Sequence, residues 1–207
     1  MALLHPLPPE PRRSSLCQDS TWLQTRHKAV ALFAERGFDS VGLRELAAHL
    51  GIKAGSLYNH IESKEALLFE LIESLYEDLL DVVTRPERRP VSQQVRLDRL
   101  IDGHVQLYRE KADYFRVAQH AKTCLSARHQ ETIAQLRNDY ERHLMTVLNG
   151  LGLPPRSLAL VTTRSVAALL HHLPHWLGDV DIASEGYRQL LGRMILGAVT
   201  ASDGASD

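Results

Sequence analysis

RELAAHLGIKAGSLYNHIESK, residues 44–64, decides how the chain is read. Leu46, Ala47 and Leu50 recur at helical spacing before Gly51, and Leu57 and Ile61 recur at the same spacing after it. Two short helices joined by a tight turn follow, because glycine reaches positive φ at no steric cost. The second helix, expected over 54–60, keeps only Leu57 and Ile61 for packing. That leaves Ala54, Gly55, Ser56, Tyr58, Asn59 and His60 facing outward. Small residues beside hydrogen-bonding ones suit a surface that meets a polar partner closely. Such a pair of helices with a polar outer face matches a helix-turn-helix, whose second helix enters the major groove of duplex DNA.

The surroundings complete a small unit. Val30, Leu32, Phe33 and Phe38 supply its core, Leu43 turns the second helix toward them, and Ile52 plugs the corner. Arg26, Arg36, Arg44, Lys53 and Lys64 stand near its polar surface, nearly cancelled in number by Glu35, Asp39, Glu45 and Glu62. Binding to DNA would therefore rest on where charges sit, since phosphate contacts give affinity and base edges give sequence choice.

Outward from this unit the chain continues as helices. The punctuation predicts them over 20–36, 43–50, 54–60, 64–84, 92–110, 112–122, 127–149, 156–173 and 184–201. No stretch alternates long enough for a strand, so the expected class is all-α. Leu68, Ile72, Leu75, Leu79 and Val83 form one core stripe, with Ser63 as its N-cap. Ile133, Leu136, Tyr140, Leu144 and Val147 form another, stopped at Asn149-Gly150. The expected organisation is a disordered arm over 1–19, a helix-turn-helix unit over 20–65, and a helical bundle over 66–207. Arg12 and Arg13 of the arm are candidates for phosphate contact, although such a tail more often has no structural role.

Composition sets bounds. The 207 residues carry 24 Lys and Arg against 25 Asp and Glu, a net charge of −1 that rules out a general polyanion binder. No apolar run reaches the roughly 18–20 residues of a membrane span. Prolines interrupt the apolar start, so it does not resemble a secretory signal. Two cysteines, Cys17 and Cys124, in unlike contexts give no disulfide framework, and a reducing cytoplasm is expected.

The motifs LFAERGF (32–38), RELA (44–47), GIKAGSLYNHI (51–61) and SKEALL (63–68) together resemble the DNA-binding segment of the TetR family of bacterial transcriptional regulators. The resemblance covers roughly residues 21–75. It implies an all-helical homodimer that binds a palindromic double-stranded DNA operator, most often as a repressor. It also implies a C-terminal bundle holding the dimer seam and the pocket for a small-molecule effector of apolar, acyl-like character. By position, Arg44 matches a residue that often reaches a base or a phosphate in the family, and Ser56 and Asn59 fall where base-edge contacts are usual, with Ala54 and Gly55 permitting close approach. Tyr58, His60 and Lys64 fall at phosphate-contacting positions. Departures are Val41 and Gly42 where a Thr or Ser cap is usual, Lys53 for Ser, Ile61 for Phe, and Thr25 for an aliphatic residue.

For the remainder the expectations are coarser. His104, Tyr108, Tyr114, Phe115, His120 and Cys124 are polar or aromatic groups among apolar ones and are candidates to line a pocket. Tyr187, Leu190, Leu191, Met194, Ile195 and Ala198 form a terminal stripe beside Gly192 and Gly197, a candidate dimer seam. His171 and His175 have metal-ligand spacing, yet Pro174 is expected to break or kink the helix between them. Gly150-Leu151-Gly152 precedes two prolines and is no nucleotide fingerprint. No nucleophile with a base partner is visible, so neither an enzyme nor a bound cofactor or metal is expected.

Overall fold

The computed structural model describes residues 13–86, 89–153, 156–176 and 181–200. Among these the regular elements are helical: α1 (Arg13–Arg36), α2 (Leu43–Leu50), α3 (Ala54–Leu57), α4 (Lys64–Thr84), α5 (Gln93–His120), α6 (Ala127–Asn149), α7 (Arg156–Trp176) and α8 (Glu185–Thr200). A single 3-10 turn, Lys122–Cys124, joins α5 to α6.

The N-terminal helices wrap a small core of Ala29, Val30, Phe33, Leu46, Ala47, Leu57 and Ile61. Val41, which stands where a cap was expected, is fully buried in it, so its side chain serves packing and α2 starts without a side-chain cap. Gly51 ends α2 with φ +73, the left-handed conformation its missing side chain permits. Helix α4 starts on Ser63, whose hydroxyl accepts from the Ala66 amide at 2.9 Å. Leu67, Leu68, Leu71, Ile72, Leu75 and Leu79 then bury one face of α4 against α5 and α6. At 21 residues, α4 spans about 30 Å and belongs to both the small N-terminal unit and the bundle.

Three boundaries differ from expectation. Helix α1 begins at Arg13, inside the stretch read as an arm; residues 1–12 lie outside the described residues. The break expected between residues 110 and 112 is a kink at Lys111 (φ −132, ψ 33) inside one continuous α5. Its ammonium pairs with Asp78 of α4 and lies 4.9 Å from the Tyr114 ring centroid, which fixes the bend against α4. Pro174 does not end α7, which runs on to Trp176. A proline so near a helix end costs one hydrogen bond and leaves little helix beyond to deflect.

Candidate nucleic-acid interface

α3 is a single turn whose geometry carries on past its formal end. Asn59 and His60 amides bond the carbonyls of Ser56 (3.2 Å) and Leu57 (2.9 Å), three residues back, so residues 58–60 prolong the helix in tighter 3-10 form. Leu57 is 0% exposed and Ile61 3%, whereas Tyr58 is 59% exposed. Ala54, Gly55, Asn59 and His60 are exposed with it, and Ser56 is half-buried. A Cβ placed on Gly55 would meet nothing within 4 Å, so the protein's own packing does not require the glycine. The backbone there is exposed and open from outside.

Supporting contacts fix the attitude of this surface. Trp22 of α1 stacks on His60, with centroids 5.2 Å apart and planes 20° apart. His60 is therefore braced from one side and keeps an exposed edge. Lys64 behaves differently from a free phosphate contact. Its Nζ donates to the carbonyls of Phe38 and Val41, both at 2.8 Å, and lies 4.1 Å from the Phe38 ring centroid. Two of its three N–H bonds thus fasten the loop before α2 to the start of α4. Arg26 donates to the Glu70 carbonyl at 2.7 Å, and Arg36 pairs with Glu45 at 2.7 Å. Of the five basic residues expected near the surface, Arg44 and Lys53 remain exposed without such a partner among the described contacts.

The bundle places its polar groups inside. His104 Nδ1 lies 2.7 Å from the Leu100 carbonyl, which only accepts, so Nδ1 carries a proton. Burial pushes the His104 pKa down to about 4, so the ring is neutral and its Nε2 is bare. Nε2 then accepts from the Tyr140 hydroxyl at 2.8 Å. The Tyr140 oxygen in turn accepts from His171 Nε2–H at 3.2 Å, and His171 is held neutral by burial as well. The result is a directed chain, His171 to Tyr140 to His104, linking α7, α6 and α5. The Phe115 ring meets those of Tyr108 (5.2 Å) and His171 (5.6 Å). Beside it, Glu141 is buried between Arg164 of α7 (3.0 Å) and Arg137 (3.7 Å).

The six pocket candidates accordingly do not share one cavity. His104, Tyr108 and Phe115 converge on this cluster. Tyr114 turns toward α1, edge-on to His27 at 5.5 Å. His120 and Cys124 line a separate cleft against Phe33 and Phe38. Tyr140, Glu141 and His171 complete the cluster; in the sequence Tyr140 is a stripe residue and His171 half of a metal spacing, and nothing singles out Glu141. Only their partners on other helices mark them out. The side chain of His175 lies outside the described residues.

The terminal stripe divides as well. Tyr187, Leu191 and Ile195 face the protein's own core, with Leu191 1% exposed. Leu190 and Met194 face outward, and Ala198 is half-buried. On α7, Leu158, Leu160 and Val161 are exposed as well, the last of them 60%.

Comparison with known proteins places this geometry. The family model described as bacterial regulatory proteins, tetR family, matches residues 26–71. The HTH-type transcriptional repressor KstR2 of Mycobacterium tuberculosis is 38% identical over 68 residues, 30% of this chain and 34% of that protein. The matched stretch spans about a third of the length of the curated relatives. Across nearly the whole chain the fold is that of a bacterial regulatory protein of the tetR family from Rhodococcus RHA1, with TM-score 0.74, 20% identity, and 90% and 98% of the two chains covered. A second fold match is AibR in complex with isovaleryl coenzyme A and operator DNA, with TM-score 0.68, 18% identity, and 86% and 97% covered.

Proposed function

Residues 26–71 belong to the tetR family of bacterial regulatory proteins, and from that premise we propose that the chain is a ligand-responsive, DNA-binding transcriptional repressor. The observation that carries this is the division of one helical turn. Leu57 and Ile61 are buried as anchors, while Tyr58, Asn59 and His60 stand exposed above them. Asn59 has the amide that pairs with adenine in the major groove, and Arg44 and Lys53 flank it for base or phosphate contact.

A single turn of helix grips too little DNA for specific repression, so the reading requires two copies. The outward apolar faces of α7 and α8, with Leu158, Val161, Leu190 and Met194, are the seam we assign. Helices from two copies would pair there about a two-fold axis. To occupy successive major grooves of a palindromic operator, the two α3 segments must then sit about 34–36 Å apart, one DNA turn. A small apolar effector entering the bundle near His104, Tyr108, Phe115 and His171 would favour a different spacing, and would release DNA by its unequal affinity for the two arrangements. AibR, in complex with isovaleryl coenzyme A and operator DNA, supports both kinds of partner. The curated relatives are regulators, and this reading leaves no catalytic role and no cofactor for the chain. No described helix is long and apolar enough to cross a membrane; a cytoplasmic location follows from the proposed function.

Selection of the purified protein against a randomised duplex pool tests the reading. The expected outcome is enrichment of a palindrome with half-site centres about 10 bp apart. A pool that stays random after repeated rounds at low salt overturns it.

A further inference from the structure

Between the N-terminal unit and the bundle lies a cleft of about 440 Å³ that the function above does not use. One wall comes from the end of α1 and the loop after it: Phe33, Ala34, Phe38 and Asp39. The other comes from the end of α5 and the 3-10 turn: Val117, Ala121 and Cys124. The volume falls within the range of small-molecule sites. Apolar and aromatic side chains share the walls with Ser40, Arg116 and His120, and Asp39 supplies a carboxylate.

That carboxylate is poorly matched. Asp39 meets the Cys124 thiol at 3.4 and 3.5 Å, and a thiol is a weak donor. Burial and the Asp39 charge both push the thiol pKa up, so Cys124 stays protonated and contributes no charge of its own. Of the basic groups nearby, Lys64 is bound to the carbonyls of Phe38 and Val41 and Arg116, on the cleft lining, to Asp113, and His120 lines the cleft as well. A carboxylate beside aromatic faces, met by a thiol, is complementary to an ammonium group on an apolar body.

We propose that this cleft is a second ligand site, for a small organic cation whose apolar part lies against Phe33 and Phe38 and whose ammonium group displaces the Cys124 thiol from Asp39. Because its two walls belong to the DNA-reading unit and to the bundle, an occupant wedges them and alters how they are held together. The site is distinct from the cluster around Tyr140, and binding there is measurable without DNA.

The test uses full-length protein carrying Cys17→Ser, so that Cys124 is the remaining thiol, with phenethylamine as probe and 3-phenylpropionate as its anionic counterpart. Alkylation of Cys124 by iodoacetamide is followed by mass spectrometry. Phenethylamine at about 10 mM is expected to slow alkylation roughly fivefold, as a ligand of millimolar affinity would, and 3-phenylpropionate is expected to leave it unchanged. Asp39→Asn, an exposed loop substitution, is expected to abolish the protection. Ala34→Leu, which narrows the cleft and keeps the carboxylate, is expected to do the same. Absence of protection by phenethylamine, equal protection by both compounds, or full protection in Asp39→Asn overturns the proposal.

Discussion

The N-terminal unit and the bundle use polar residues in opposite ways. Around α3 the apolar side chains are underneath and the polar ones outside: Leu57 and Ile61 are buried, and Tyr58, Asn59 and His60 are exposed. In the bundle the informative polar groups are inside, where His104, Tyr140 and His171 satisfy one another across three helices. A surface that meets a partner must leave hydrogen-bonding capacity open. A core must close it, because an unmet buried donor or acceptor costs about 1–3 kcal/mol. The first region is built for recognition by exposure, the second for a defined internal arrangement.

The sharpest way to break this comparison is to put one charge on each side of the terminal helices. Leu191→Asp places a carboxylate against the core and is expected to cost on the order of 4 kcal/mol, enough to unfold the bundle. Val161→Asp places the same charge on the outward face and is expected to preserve helicity while giving monomers. Circular dichroism and sedimentation read the two outcomes together. A folded Leu191→Asp dimer would reverse the assignment of faces.

Acid is the next largest probe. His104 has a folded pKa of about 4 against an ordinary value of 6.5, so the unfolded chain takes up its proton first as pH falls. Stability is therefore complete above about 6.5 and lost between there and 4, by up to about 3 kcal/mol from this residue. His171 is shifted in the same direction and adds to the loss. Urea midpoints measured at pH 7 and pH 5 check it; His104→Gln should flatten the difference. Tyr140→Phe removes the hydroxyl that both histidines use and is expected to cost about 1–3 kcal/mol of stability by leaving His104 Nε2 without its donor. Denaturant titration gives that number directly. At the exposed surface the effect moves from stability to binding. Tyr58→Ala is expected to leave the melting temperature unchanged and to weaken operator binding roughly tenfold, or about 1.4 kcal/mol. Fluorescence anisotropy with an operator recovered by selection measures it.

The same contrast explains what the sequence made legible. The N-terminal unit is built from residues close together in the chain, so periodicity, Gly51 and the Ser63 cap were enough to locate α2, the start of α3, and all of α4. The hold of Lys64 on the carbonyls of Phe38 and Val41 was not legible, because backbone acceptors leave no mark in side-chain pattern. The bundle cluster was out of reach for a related reason. Tyr140 lies 36 residues from His104 and 31 from His171, and nothing local distinguishes a stripe tyrosine from a network tyrosine. The candidate pocket failed as a group because α5 rotates successive residues to different neighbours. Tyr114 and Phe115 are adjacent in sequence and face separate parts of the molecule. The terminal stripe lies on one helix, α8, yet a stripe does not say which flank looks inward. That depended on where α5 and α7 pack.

The division of labour within one turn of α3 has an evolutionary consequence. Leu57 and Ile61 hold the element in place whatever occupies positions 58 and 59, so those two exposed side chains can be exchanged with little disturbance to how the chain folds, whereas His60 is stacked on Trp22. Target preference in such a protein can drift by substitutions nearly neutral for stability, and new binding sites become accessible one residue at a time.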